Sequence, residues 1–421
     1  MNKIIGLAIA AVLGLSACSN LDHKTAHEVM SISNDRILKE DHSFNITGSS
    51  RVYISPLAEA VLADEKVEEK AKAEVEDAKA KAKDAKAKEG EAASSMKVAQ
   101  EDDAALKQEF SEREEAEFRN AMLDALPDGN IAQVAVDYLD KYPAISSYME
   151  GVHLNYESAV DLSTRQFEMI PELVINNHNE KLSIKLPMKL DAEKWEIYVD
   201  LPASVSAIVN VYTDEKIGKR LIKEPLKVSL KEIGDSKHMP FDHIAEAGVR
   251  AFLSANKAMP ADAYVFKEMD AFGKANHARY RVRHVMKPEY DSVVMKAMAK
   301  AFDEELSKLQ KTPQPGSTEE DYKNAREFFS MSVNISDNQP LSFQRIFGNN
   351  LVVDYYLDRK GRMLASRMYM QINGTHKAIN IIGDSVYSNY GKPVFKLNPQ
   401  GKGITWKELK EFFSSNKKED D

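Results

Sequence analysis

The chain runs to 421 residues, 43% of them hydrophobic, which supports two or three packed domains and excludes a wholly disordered chain. Its formal net charge of −9 argues against nucleic acid as a partner, because phosphate binding rests on clustered Lys and Arg. Its single cysteine, Cys18, leaves no disulfide and no multi-cysteine metal site within the chain.

Lys3, an apolar run from Ile4 to Leu15 and small residues before Cys18 form the three regions of a secretory signal. The 12 residues of that run fall short of the roughly 20 that span a bilayer. The stretch Leu15-Ser16-Ala17-Cys18 resembles the lipobox of bacterial lipoproteins. That resemblance implies loss of residues 1–17 as a signal peptide and acylation of Cys18, which makes the membrane a partner through the acyl chains. Several chains give a durable anchor where one is marginal. Ser19 rather than aspartate follows the cysteine, and by the same likeness this favours the outer membrane facing the periplasm, with the cell surface as the alternative.

Residues 18–41 read as a polar, lipidated tether with room for one short helix. A first strand or hairpin follows over 42–55, where Phe44 and Ile46 alternate, then Val52 and Ile54 after Gly48-Ser49-Ser50. From 56 to 126 the composition turns to Ala, Glu and Lys. Apolar residues recur at heptad spacing through Ala71, Val75, Ala78, Ala82, Ala85, Ala92, Met96, Ala99, Leu106 and Phe110, which predicts a helical, coiled-coil arm with a weak alanine seam. Residues 64–88 balance eight acidic with eight basic side chains, whereas 89–118 hold ten acidic and three basic ones. This is a solvated face or, in the sharper reading, a docking surface for a basic partner.

Over 127–235 the pattern predicts an α+β half. Asn130 caps a helix, and Leu182, Ile184, Leu186, Met188 and Leu190 pair across Asp191–Lys194 with Trp195, Ile197, Val199 and Leu201 as a hairpin with one apolar face. Pro187 places the first of these strands at an edge or bulge. The 236–310 segment is helical, with Asp242 as a cap, Ile244, Ala245, Val249, Phe252 and Leu253 as its apolar side, a short strand at 279–285 and a helix opening at Pro288. The 311–421 region is a second antiparallel sheet. It starts after a 311–317 linker, takes 328–335 as a strand, turns a hairpin at Gly361, and closes with a Thr405–Glu408 capping box that buries Trp406, Leu409 and Phe413. The fold class is therefore α+β: a long helical arm plus curved antiparallel sheets packed with helices, in two similar halves. Element order and compartment resemble LolA- and LppX-type envelope proteins, some of which hold acyl chains in the concavity of the sheet.

No catalytic constellation stands out. Ser94 and Lys97 match a Ser-x-x-Lys pair without its partner motifs. His23 with His27, and His238 with His243, lack a third metal ligand, so no metal or cofactor is expected. Arg281, Arg283 and Lys287 could contact an anion, although an amphipathic strand explains the first two with Tyr280, Val282 and Val285 turned inward. Met286, Met295, Met298, Met331, Met363, Met368 and Met370 suit core filling or an adaptable apolar pocket. The expected function is a non-enzymatic envelope lipoprotein, a scaffold or binding module whose partner is another envelope protein, with self-association through the arm. The alternatives are a carrier or sensor of a hydrophobic ligand and an exported hydrolase.

Overall fold

The computed structural model describes residues 21–56, 151–177, 180–205, 215–233, 236–338, 350–399 and 402–409, with isolated helical positions between 134 and 149 and at 207. Cys18, the Ala-rich stretch past Pro56, Ser94 and Lys97 lie outside the described residues. The fold is mixed α and β, built on one open mixed sheet of 13 strands.

Its left part holds β2 (Val152–Asp161), β3 (Gln166–Asn177), β4 (Glu180–Lys185), β5 (Met188–Asp191), β6 (Glu196–Val199), β7 (Leu226–Ser229) and β13 (Ile404–Thr405). Its right part holds β8 (Tyr264–Lys267), β9 (Tyr280–Met286), β10 (Asn350–Leu357), β11 (Met363–Asn373) and β12 (Lys377–Ser388). Between them runs β1 (Ser43–Pro56), bonded to β2 on one side and to β12 on the other. The spatial order is 13-7-6-5-3-2-1-12-11-10-9-8, with β4 also on β3. Every described pairing is antiparallel except β13 with β7.

The Gly48-Ser49-Ser50 stretch does not interrupt β1. Instead, a Cβ at Gly48 would lie 2.3 Å from the Tyr156 ring and 2.6 Å from the Asp384 carbonyl oxygen, so glycine lets three strands close up there. The expected hairpin at 182–201 forms as β5 and β6. Its first strand is broken at Leu186-Pro187, so that β4 and β5 pair with successive lengths of β3. Aspartates head the turns of both hairpins. Asp191 Oδ1 accepts from the amides of Glu193 and Lys194, and Asp358 Oδ1 from those of Lys360 and Arg362. Asp161 repeats the device with the amides of Ser163 and Thr164.

The short helix allowed for within 18–41 forms as α1 (Ala26–Lys39), but it is packed into the core and is not part of a free tether. Thr25 and Glu28 form a capping box that satisfies amides at its start. Ala26, Val29, Met30 and Ser33, at helical spacing, are buried, as is Leu21 just before the helix. They join Tyr264, Tyr280, Val282, Leu357 and Met363 in the main core. At the other end of α1, Asp41 accepts from both Arg36 and Arg362, so this helix is stapled to the β10–β11 turn.

Three more helices follow α2 (Glu215–Leu221) as a bundle: α3 (Phe241–Ala258), α5 (Pro288–Leu309) and α6 (Glu319–Asn338), with the short α4 (Ala271–Ala275) between the first two. Asp242 does not cap α3. Pro240 occupies that position, and the Asp242 carboxylate instead accepts from Arg165 at 2.7 Å and Gln314 at 3.1 Å. The buried side of α3 is Ala247, Ala251 and Ala255, while Val249 and Phe252 are exposed. Small side chains let α3 lie close to Phe302 and Leu306 of α5, and that contact outweighs the hydrophobicity of the larger residues. The 328–335 stretch expected as a strand belongs to α6, because Tyr322, Ala325 and Phe329 recur at helical spacing; Phe329 stacks on Phe302 at 3.8 Å. The Thr405–Glu408 box forms, with Leu409 buried but Trp406 exposed.

His284 lies against Tyr264 of the main core in a tilted ring contact, with centroids 4.6 Å apart, and among the described residues its Nε2 has no hydrogen-bond partner. Burial pushes its pKa down from 6.5 to about 4. The native state therefore keeps this imidazole neutral while the unfolded chain protonates it. The associated stability is full above pH 6.5 and falls as the pH drops toward 4, by about 3 kcal/mol at 1.36 kcal/mol per pKa unit. Urea unfolding between pH 7 and 4 should show this loss, and His284→Phe should flatten that part of the profile.

Candidate binding face

Cross-strand register sorts the left part of the sheet into two faces. Leu154 lies opposite Leu173, and Leu173 opposite Ile184, in one rung; Ile175 lies opposite Leu182 in the next. Val160, Phe167 and Leu190 form a third rung on the same side. This face is apolar across β2, β3, β4 and β5, and it is open: Leu154 is 39% exposed, Phe167 39%, Leu173 37%, Leu182 49% and Ile184 40%.

Toward the Asp161 end of β2, β3 and β5 the polar side is the covered one, whereas Lys181, Ser183 and Lys185 on the polar side of β4 are exposed. Glu168 is 2% exposed, and its carboxylate accepts from the backbone amides of Lys396 at 2.9 Å and Leu397 at 2.6 Å. Lys189 donates to the Leu397 carbonyl and lies 4.8 Å over the Phe395 ring. Asn45 bonds both the amide and the carbonyl of Val394, and Lys396 pairs with Glu157. Residues 394–397 thus form a strap laid along the charged face. Asp191 is buried there too. Burial raises its pKa, but hydrogen bonds from the side chain and amide of Lys194 outweigh that and hold the carboxyl below its usual range.

This is the reverse of an ordinary two-faced sheet, in which the polar side meets water. Buried polar groups persist because they are bonded, each net bond contributing about 1 kcal/mol. Exposed apolar groups have no such compensation. A contiguous apolar patch rimmed by polar residues marks an interaction surface.

The anion contact expected of Arg281, Arg283 and Lys287 takes a different form. Arg281 and Arg283 point to the strap side of the sheet, but they are buried rather than wet. Both converge on Asp354, which is fully buried: Arg281 Nη2 lies 2.5 Å from Oδ2, and Arg283 Nε 2.7 Å from Oδ1. Arg281 also meets Asp270 at 3.3 Å, and Asp270 accepts from the Tyr356 hydroxyl. Burial and that hydrogen bond raise the Tyr356 pKa. The anions these guanidiniums hold are the protein's own. Lys287 is separate from them, half exposed, paired with Asp262 and placed over the Tyr290 ring. Val285, expected inward with Val282, lies on the opposite side and packs on Val352, Tyr369 and Ile382.

His238 and His243 are each engaged within the protein. His238 bonds the Gly316 carbonyl, and His243 the Tyr322 hydroxyl. Among the described residues no three His, Cys, Asp or Glu side chains are grouped to hold a metal ion. Of the methionines, Met363 is in the main core and Met298 packs in the helix bundle.

Asp354→Ala should strand two buried guanidiniums and destabilise the fold by about 3–5 kcal/mol. Leu182→Ser, on the open face, should cost less than about 0.5 kcal/mol; denaturant midpoints of the two variants check the contrast. Comparison with protein-family models, with curated proteins and with solved structures finds no match for this chain.

Proposed function

We propose that this chain is an exported lipoprotein, anchored by acylated Cys18, that works as a non-enzymatic binding module. The open face of β2, β3 and β4 is its contact surface. One observation carries the reading: the strap seals Glu168 of β3 and Lys189 of β5 on the charged side while the apolar side is open from Phe167 through Leu173 to Leu182 and Ile184. An open apolar face suits the core of a protein–protein interface. In this reading the Ala-rich stretch over 56–126 supplies a helical arm and a second route to self-association. The sheet is curved, as in LolA- and LppX-type proteins, and built as two similar halves joined at β1. Outer-membrane placement follows from Ser19.

A carrier of lipid or another hydrophobic ligand is the second reading, favoured by the same apolar rungs. A photocrosslinker at Leu173 of the full-length protein in its own envelope separates the two. The expected result is a discrete protein adduct, reduced at least about ten-fold by Leu182→Glu with Ile184→Glu, a loss typical of hot-spot truncation. Lipid adducts alone, with stoichiometric lipid in native mass spectra, would establish the carrier instead.

A further inference from the structure

Only Ser19 and Asn20 separate Cys18 from Leu21, which is 3% exposed in the main core. Three Cα steps of 3.8 Å limit the distance from Cys18 to Leu21 to about 11 Å. The polar layer of one leaflet is roughly 5–7 Å deep. An acylated Cys18 therefore holds this part of the body at the headgroups, with no slack for a stand-off.

The element packed on Leu21 is the β10–β11 turn. A Cβ at Gly361, whose φ is +80°, would lie 3.3 Å from both Leu21 Cδ1 and Ile32 Cγ2. Arg362, next in the chain, is bonded to Asp41. The turn, Leu21 and α1 thus move as one unit.

Nearby carboxylates are engaged. Asp22 takes Arg279 and the Tyr280 hydroxyl, Glu28 takes Thr25 and Lys24, Asp41 takes Arg36 and Arg362, and Asp358 takes the amides of its own turn. Arg359 and Lys360 at the tip are exposed and make no ion pair among the described residues.

We infer that the β10–β11 tip is the membrane-facing surface of the body, where Arg359 and Lys360 contact anionic phospholipid headgroups beside the anchor. The inference rests on the lipoprotein reading of Cys18. Basic side chains at an anionic surface supplement acyl chains, each contributing about a five-fold gain in occupancy.

The test uses the full-length protein matured in a bacterial host and reconstituted in vesicles of phosphatidylethanolamine with phosphatidylglycerol. With Cys18 acylated, Lys360→Cys carries the one free thiol for a fluorophore. His376→Cys, at the far end of β11, is the control, about 35 Å away at 3.3 Å per residue. Headgroup nitroxide should quench the label at 360 and spare the label at 376. Arg359→Gln in the Lys360→Cys protein should lower tip occupancy about five-fold. Quenching at 360 that is equal in phosphatidylethanolamine vesicles without phosphatidylglycerol would overturn the headgroup assignment. An unquenched 360 label on protein whose mass shows acylated Cys18 would overturn the orientation and leave the lipoprotein reading standing. An unmodified Cys18 would overturn both.

Discussion

Everything in this fold hangs on the double ladder of β1. Its residues 45–51 pair at once with β2 and with β12, partners more than 100 residues and more than 300 residues away in sequence. Closing loops of that length costs entropy before any contact compensates, so the central rungs must be well made. Gly48 is the clearest sign of this. The ring of Tyr156 occupies the space a side chain would need, and the Tyr156 hydroxyl reaches Ser385 on the far neighbour. A glycine that would weaken an isolated strand here lets three strands share one rung.

The sheet then solves its two faces differently on its two sides. On the right, α1 and α5 cover the apolar face. On the polar face, charges neutralise each other in place: Arg281 and Arg283 with Asp354 and Asp270, and Arg367 with Asp384. On the left, backbone amides of the strap do the neutralising. Glu168 is held by the backbone amides of Lys396 and Leu397, a geometry that satisfies a buried carboxylate through charge-assisted hydrogen bonds. Both arrangements satisfy the polar side within the protein. Only the right side also covers its apolar residues with described helices, so the contrast between the two sides is what singles out the face of β2, β3 and β4.

Alternation and turn chemistry made much of this legible in the sequence. The period of two through Leu182–Leu190 and Trp195–Leu201, and Asp191 and Asp358 at the turns, located two hairpins because these signals are local. Three things were not local. The apolar spacing of Ala26, Val29 and Met30 is sparse and sits among polar residues, so a short helix was legible but its packing into the core was not. Residues 328–335 are rich in Phe, Ser and Val and look like a strand, but stacking of Phe329 on Phe302 in a bundle overrides that propensity. Arg281 and Arg283 look like a wet strand face until Asp354, 71 residues or more away, is brought opposite them. The apolar face over 182–190 was legible as a face, but one strand's alternation does not say what lies on it.

Strand direction links the two proposed surfaces. β1 starts at Ser43 beside Asp161 and Gly391, the same end of the sheet that carries the β10–β11 turn, and it finishes at Pro56 beside Lys377. Fourteen residues at about 3.3 Å each put these ends roughly 45 Å apart. With the tip at the headgroups, the chain enters the sheet at the membrane and leaves it far from the membrane at Pro56, returning at Val152 on the same distal end. The rungs of Leu154 with Leu173 and Ile184, and of Ile175 with Leu182, lie toward that distal end as well. An anchor with almost no tether would bury a contact surface placed near it. Carrying the apolar rungs to the far end of a long strand keeps them accessible to a partner that never touches the bilayer.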